Sequence, residues 1–116
     1  MLESLFTPKS VAVIGASKTP GKVGYDIVEN LVNSGFAGPV IPVNPAGGEL
    51  LGLQVFASLA DYGHPVDLVV IVLPAALVLQ AARDAVRSKA GAVVVISAGF
   101  RETGLEGRRE EQRIAE

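Results

Sequence analysis

At 116 residues the chain is the size of one domain, and a hydrophobic content of 49% is enough to bury a core, which excludes intrinsic disorder. Ten basic residues against twelve acidic ones exclude the basic face that nucleic-acid binding requires. The absence of cysteine excludes disulfides and thiolate metal sites. The first four residues lack the pattern of a signal peptide, and the longest uncharged stretch, between Asp67 and Arg83, is interrupted by Pro74 and falls short of the roughly 18 apolar residues of a membrane span. One soluble, cytoplasmic domain over residues 1–116, with no membrane partner, is the expectation.

Aromatic residues make up only 5% of the chain and there is no Trp, so the core must be built from Val, Leu, Ile and Ala. That is the composition of a parallel sheet covered by helices. The first strand is Val11-Ala12-Val13-Ile14, nearly continuous in apolar character as a strand buried on both faces should be. A helix follows over 23–34, with Ile27, Val28, Leu31 and Val32 on one face and Gly35 where a left-handed residue is needed. Val40-Ile41-Pro42-Val43 is a weaker strand, placed near a sheet edge or bulge because Pro42 lacks a donor. A helical turn covers 58–61 and a third strand 66–73, with Asp67 near its start in a position that loop solvation explains. A helix over 75–89 lies between Pro74 and a stop at Gly91. The last strand is 92–96, and the charged segment 104–116 reads as a helix with a solvated face. Strands alternating with helices imply right-handed crossovers. The fold class is therefore α/β, a Rossmann-like parallel sheet with helices on both faces, whose ligands bind beyond the carboxyl ends of the strands.

The residues that carry chemistry sit at those ends. Gly15, Ala16, Ser17, Lys18, Gly21, Lys22, Val23 and Gly24 join a buried strand to a helix N-terminus. Free N–H groups, the Ser17 hydroxyl and the charges of Lys18 and Lys22 suit a phosphate. As a bland alternative, the glycines only satisfy turn geometry. The spacing is not that of the dinucleotide fingerprint, and the second strand ends Val43-Asn44-Pro45 with no acid to hold a ribose; Glu49 lies beyond a Gly47-Gly48 turn. A nucleotide is favoured, NAD is not. Leu73, Pro74 and Ala75 close the third strand and Ser97, Ala98 and Gly99 the fourth, leaving backbone groups open to a ligand, with Phe100 a possible apolar wall. No catalytic constellation or metal set is visible. The single histidine, His64, reads as a solvated loop residue.

The run Pro8-Lys9-Ser10-Val11-Ala12-Val13-Ile14-Gly15-Ala16-Ser17, then Gly21-Lys22-Val23-Gly24, Val43-Asn44-Pro45, the Gly52 turn, Val66-Asp67-Leu68, Val72-Leu73-Pro74-Ala75 and the segment from Ser97 to Gly104 resemble the start of the NDP-forming acyl-CoA synthetases. The chain is similar, more distantly, to the α subunit of succinyl-CoA synthetase. The resemblance implies a domain that binds coenzyme A or acyl-CoA, with loop 15–24 on the phosphates. It implies that Val43, Asn44 and Pro45 border the adenosine, and that Leu73, Pro74, Ala75, Ser97, Ala98 and Gly99 line the pantetheine arm. It implies a ligase acting through an acyl phosphate and a phosphohistidine in another domain, the remaining synthetase domains or a second subunit as partners, and no catalysis by this segment alone. Many relatives carry a Lys after the Asn-Pro pair, where this chain has Ala46; Lys18 and Lys22 are the candidates to replace its contact with the 3′-phosphate. The family continues with a further strand and a Gly-Pro-Asn segment, so residues 1–116 are expected to be a C-terminally truncated piece of a larger chain. Three other readings compete: a CoA-binding regulatory module, fused to an acetyltransferase or standing alone; an NAD(P)-dependent oxidoreductase half-domain; and a structural domain with a vestigial site.

Overall fold

The computed structural model describes residues 7–96. The expected helix over 104–116, and Ser97, Ala98, Gly99 and Phe100, lie outside them. The described elements are β1 (Val11–Ile14), α1 (Val23–Asn33), β2 (Val40–Val43), β3 (Glu49–Leu50), β4 (Leu53–Gln54), α2 (Leu59–Tyr62), β5 (Leu68–Ile71), α3 (Ala75–Arg87) and β6 (Ala92–Val95). β2, β1, β5 and β6 form one parallel sheet in that order. The chain runs outward from β1 to β2, then crosses back over β1 to reach β5 and β6. Strand order therefore reverses between β1 and β5, where an open α/β sheet leaves a crevice at its carboxyl edge.

Side-chain alternation divides the core into two layers. Val11, Val13 and Val70 pack with Val28 of α1 and with Leu50 and Val55 of the β3–β4 hairpin. Ala12, Ile41, Val69 and Ile71 pack on the opposite face with Leu59 of α2 and Val78, Ala81 and Ala85 of α3. Each fully buried Val or Ile contributes about 1.5–3 kcal/mol by leaving water, so these two layers carry the fold. Pro42 is tolerated because β2 lies at the sheet edge; it stands opposite Val13 and its carbonyl accepts from the Phe56 amide at 2.9 Å.

Several details differ from the sequence expectation. The ladder of β5 is four residues long rather than the eight of 66–73, because its partner β1 offers four. The hairpin of β3 and β4 has no counterpart among the expected elements: each strand has two residues, too short to show a period. Leu51 (φ 51°) and Gly52 (φ 82°) make its turn, both left-handed as a tight primed hairpin demands. Asp67 is more than a solvated strand start. Its carboxylate accepts from the Lys9 amide at 2.8 Å and its own amide donates to Ser10 Oγ at 2.9 Å, tying the segment before β1 to the sheet.

The left-handed residue that ends α3 is Lys89 (φ 62°), not Gly91. The Ala90 amide donates to the Ala85 carbonyl and the Lys89 amide to the Val86 carbonyl, both at 3.0 Å, which is the Schellman pattern with lysine at the position glycine usually takes. A side chain in that region costs about 1–2 kcal/mol. Lys89→Gly is therefore expected to stabilise the domain by about 0.5–1 kcal/mol, after allowing for the greater freedom of an unfolded glycine. A higher urea midpoint with an unchanged slope is the expected readout; a lower midpoint would mean that the lysine side chain contributes more than its backbone strain removes.

Candidate functional site

The carboxyl ends of β1, β2 and β5 open onto one cleft of about 330 Å³. Its floor is Ile14 and Gly15 after β1, and Val43, Asn44 and Pro45 at the end of β2. Leu73 and Leu77 form one wall with Ala81, and Ala57, Ser58 and Leu59 form the other. Gln80 and Asp84 stand at its rim, joined by a 3.0 Å bond from Gln80 Nε2 to Asp84 Oδ1.

Close backbone packing shapes the floor. Gly15 has φ +96°, and a Cβ built on it would overlap the Val72 carbonyl oxygen and stand 2.8 Å from its carbon. Gly24, in the first turn of α1, is buried; a Cβ there would overlap the Gly15 carbonyl oxygen and lie 3.2 Å from Ala16 Cα. The two glycines thus press β1, β5 and the start of α1 together. A Cβ on Gly21 (φ +92°) would meet nothing within 4 Å, so that position needs glycine for its backbone alone.

Asn44 joins the two loops of the cleft. Its Nδ2 donates to the Ala16 carbonyl at 2.7 Å and its Oδ1 accepts from the Ala46 amide at 2.9 Å. The Gly15 and Ala16 amides both donate to the Val43 carbonyl, at 3.0 and 3.2 Å. The loop then turns on itself, Ser17 Oγ accepting from the Thr19 amide at 3.1 Å.

Lys22 and Pro74, the residues that begin α1 and α3, make no side-chain cap, whereas Ser58 caps the short α2. The first amides of α1 and α3 therefore keep their donors and the positive end of each helix. Pro74 and Ala75 are exposed at the start of α3, and Val23 packs partly into the layer beneath α1. Of the residues singled out from the sequence, Gly15, Val43, Asn44, Pro45 and Leu73 line the cleft itself. Ala16, Ser17, Lys18, Gly21, Lys22 and Gly24 belong to the adjoining loop and helix start. Ser97, Ala98 and Gly99 lie outside the described residues.

Leu77, Ala81 and Asp84 are site residues that sequence reasoning misses. Their i, i+4, i+7 spacing on one face of α3 is legible, but it gives no sign that the face continues past the core into the cleft. His64 belongs to the other end of the sheet, in the loop leading into β5. It is exposed and packs edge-on against Tyr62, with ring centroids 5.3 Å apart. Among the described residues no group of three or more His, Cys, Asp or Glu could hold a metal, and no helix is long and apolar enough to cross a membrane.

A family model described as a CoA binding domain matches residues 9–115. Over 99% of its length the chain is 44% identical to the α subunit of acetate–CoA ligase [ADP-forming] I of Pyrococcus furiosus, covering 26% of that protein. It is 47% identical to acetate–CoA ligase [ADP-forming] I of Archaeoglobus fulgidus, again over 99% of its length and 16% of the relative. A solved structure, the apo form of dinucleotide forming acetyl-coenzyme A synthetase 1 from Ca. Korarchaeum cryptofilum, matches with a TM-score of 0.81 and 41% identity, over 99% of this chain and 25% of that one. The chain thus spans about a quarter of these relatives or less.

Proposed function

The chain belongs to the CoA-binding domain family, and from that premise we propose that its cleft holds coenzyme A as one module of an NDP-forming acyl-CoA synthetase. The observation that carries the reading is an apolar cleft at the reversal of strand order, walled by α3 and continued from Gly15 by the loop that leads to α1, both helices having no side-chain cap at their N-termini. An apolar trough with charge-accepting donors at its border suits a ligand that is part hydrophobic arm and part phosphate. At about 330 Å³ the cleft encloses one arm of such a ligand, leaving the phosphates to the loop.

In this arrangement the α1 amides and Lys22 bind the diphosphate. Val43 and Pro45 border the adenosine, and Asn44 holds the two loops at the spacing the nucleotide needs. Leu73, Pro74 and Ala75, with Leu77 and Ala81, guide the pantetheine arm. Bound there, coenzyme A supplies the thiol that accepts the acyl group. The domain's own contribution is binding and orientation, and the acyl phosphate and phosphohistidine steps belong to other parts of the intact enzyme. His64, at the opposite end of β5, is not assigned to them. A cytoplasmic location and partner synthetase domains are part of the same proposal. The ligase relatives favour this reading over a regulatory module.

The dehydrogenase reading has less support. Asn44, at the end of β2, spends its side chain on Ala16 and Ala46, and Glu49 is an exposed hairpin residue opposite Gln54. Calorimetric titration with coenzyme A and with NADH separates the two. Saturable binding of coenzyme A without binding of NADH is the expected result, and the reverse pattern would replace the proposal with an oxidoreductase domain.

A further inference from the structure

We propose that residues 104–116 dock as a helix in an apolar groove between α3 and β6, on the face of the sheet opposite α1. The groove, of about 470 Å³, is lined by Val78, Leu79, Ala82 and Val86 of α3 and by Val93 and Val95 of β6. Leu79 is 62% exposed and Val86 71%. α3 thus carries two apolar stripes. Val78, Ala81 and Ala85 are buried against the sheet, whereas Ala75, Leu79, Ala82 and Val86, also at helical spacing, run along the groove. A second stripe of this kind calls for a cover, because large aliphatic side chains left in water forgo the stabilisation that burial gives.

Topology fixes the face on which the chain after β6 belongs. α1 carries the chain from β1 to β2 and packs with Val11, Val13 and Val70. α3 carries it the opposite way, from β5 to β6, and packs on the other face. Right-handed crossovers produce that alternation. β6 stands last in the described sheet. A helix leading onward from it in the same direction therefore crosses on the face of α3, over the open flank of β6, where the groove lies.

The sequence that follows suits the groove in length and in charge. Residues 104–116 match α3 in length, and a helix that starts at the carboxyl edge, as α3 does, runs parallel to it with Gly104 level with Ala75. In that register Glu111 comes beside Ala82 and Arg83, and Ala115 beside Val86. Glu111, Ile114 and Ala115 share one side of such a helix, with Arg109 and Arg113 turned away from it. Arg83 and Arg87 border the groove, forming a hollow with Ala82 and Val86, and neither has an ion pair among the described residues. A carboxylate beside two aliphatic residues thus meets an aliphatic strip beside two cations.

The chain has no cysteine, so introduced pairs report contact without background. Val86→Cys with Ala115→Cys is the first pair, and Leu79→Cys with Arg108→Cys, at the same offset along both helices, is the second. Leu51→Cys with Ala115→Cys is the control, since the β3–β4 hairpin packs on the other face. Each variant of the 116-residue chain is oxidised at low protein concentration and its disulfides are identified by mass. Docked helices bring facing Cα atoms within the roughly 4.4–6.8 Å that a disulfide spans. At least one of the first two pairs should then close within the chain about tenfold faster than the control. Circular dichroism confirms that these exchanges at exposed positions have not cost the fold. Closure of both pairs no faster than the control overturns the proposal. Disulfides that join two chains, at a rate rising with protein concentration, overturn it in favour of a second copy on the groove. No ligand takes part, so the outcome is independent of coenzyme A binding in the cleft.

Discussion

Gly15→Ala should cost the domain about 3 kcal/mol, whereas Gly21→Ala in the same loop should cost about 1 kcal/mol. Both glycines hold left-handed backbone, with φ +96° and +92°, so an alanine strains each backbone alike. They differ in what a methyl group would meet. At Gly21 there is open space, while at Gly15 the methyl would overlap the Val72 carbonyl oxygen and stand 3.2 Å from Leu73 Cδ2. That carbonyl belongs to the segment leaving β5, whose Val72 amide donates to the Ile14 carbonyl at 2.7 Å, so neither side can retreat without loosening the centre of the sheet. Urea denaturation of both variants measures the difference. Equal losses would show that the strands separate easily at this point and that only the backbone angle demands glycine. Because the same contact forms the floor of the cleft, coenzyme A binding by any folded Gly15→Ala protein should fall as well.

Asn44→Ala is expected to remove about 2 kcal/mol of stability and to weaken coenzyme A roughly tenfold, although the side chain is assigned no contact with the ligand. It leaves the carbonyl of buried Ala16 without its 2.7 Å donor and the exposed Ala46 amide to water. The first loss dominates, since an unpaired buried acceptor keeps its full desolvation cost. Asn44→Asp sharpens the test. It preserves an acceptor for Ala46 but sets a carboxylate against the Ala16 carbonyl, so it should destabilise at least as much as alanine. Loss of stability with unchanged affinity would show that the spacing of the two loops does not matter to the ligand. Affinity lost in Asn44→Ala and regained in Asn44→Asp would instead make Ala46 the partner that counts.

Much of the architecture is legible in local residue patterns. Val11-Ala12-Val13-Ile14 has the continuous apolar character that burial on both faces selects, whereas Ala92-Val93-Val94-Val95, with the same character, stands last in the described sheet and leaves Val93 and Val94 half-buried. Gly35 closes α1 as expected, with φ 82°. Lys89 shows the limit of such signals, because a lysine can occupy a left-handed position when both Schellman bonds hold it there, and no propensity announces it. The β3–β4 hairpin escapes for a different reason: two residues per strand leave no period to detect, and Leu51 stands where a primed turn usually has Asn, Asp or Gly.

The site divides along the same line. Sequence alone determined the α/β class, the glycine loop at the end of β1 and the want of an acid at the end of β2, and narrowed the strand containing Pro42 to an edge or a bulge, because each follows from the chemistry of residues adjacent in the chain; the sheet order then put that strand at the edge. Only the tertiary structure decided that Asn44 joins its loop to Ala16, that Leu77 and Ala81 extend the cleft, and that Gly15 yields to Val72. Each of these pairs residues far apart in the chain, and their meeting depends on the parallel register of β2, β1 and β5, which no local pattern encodes.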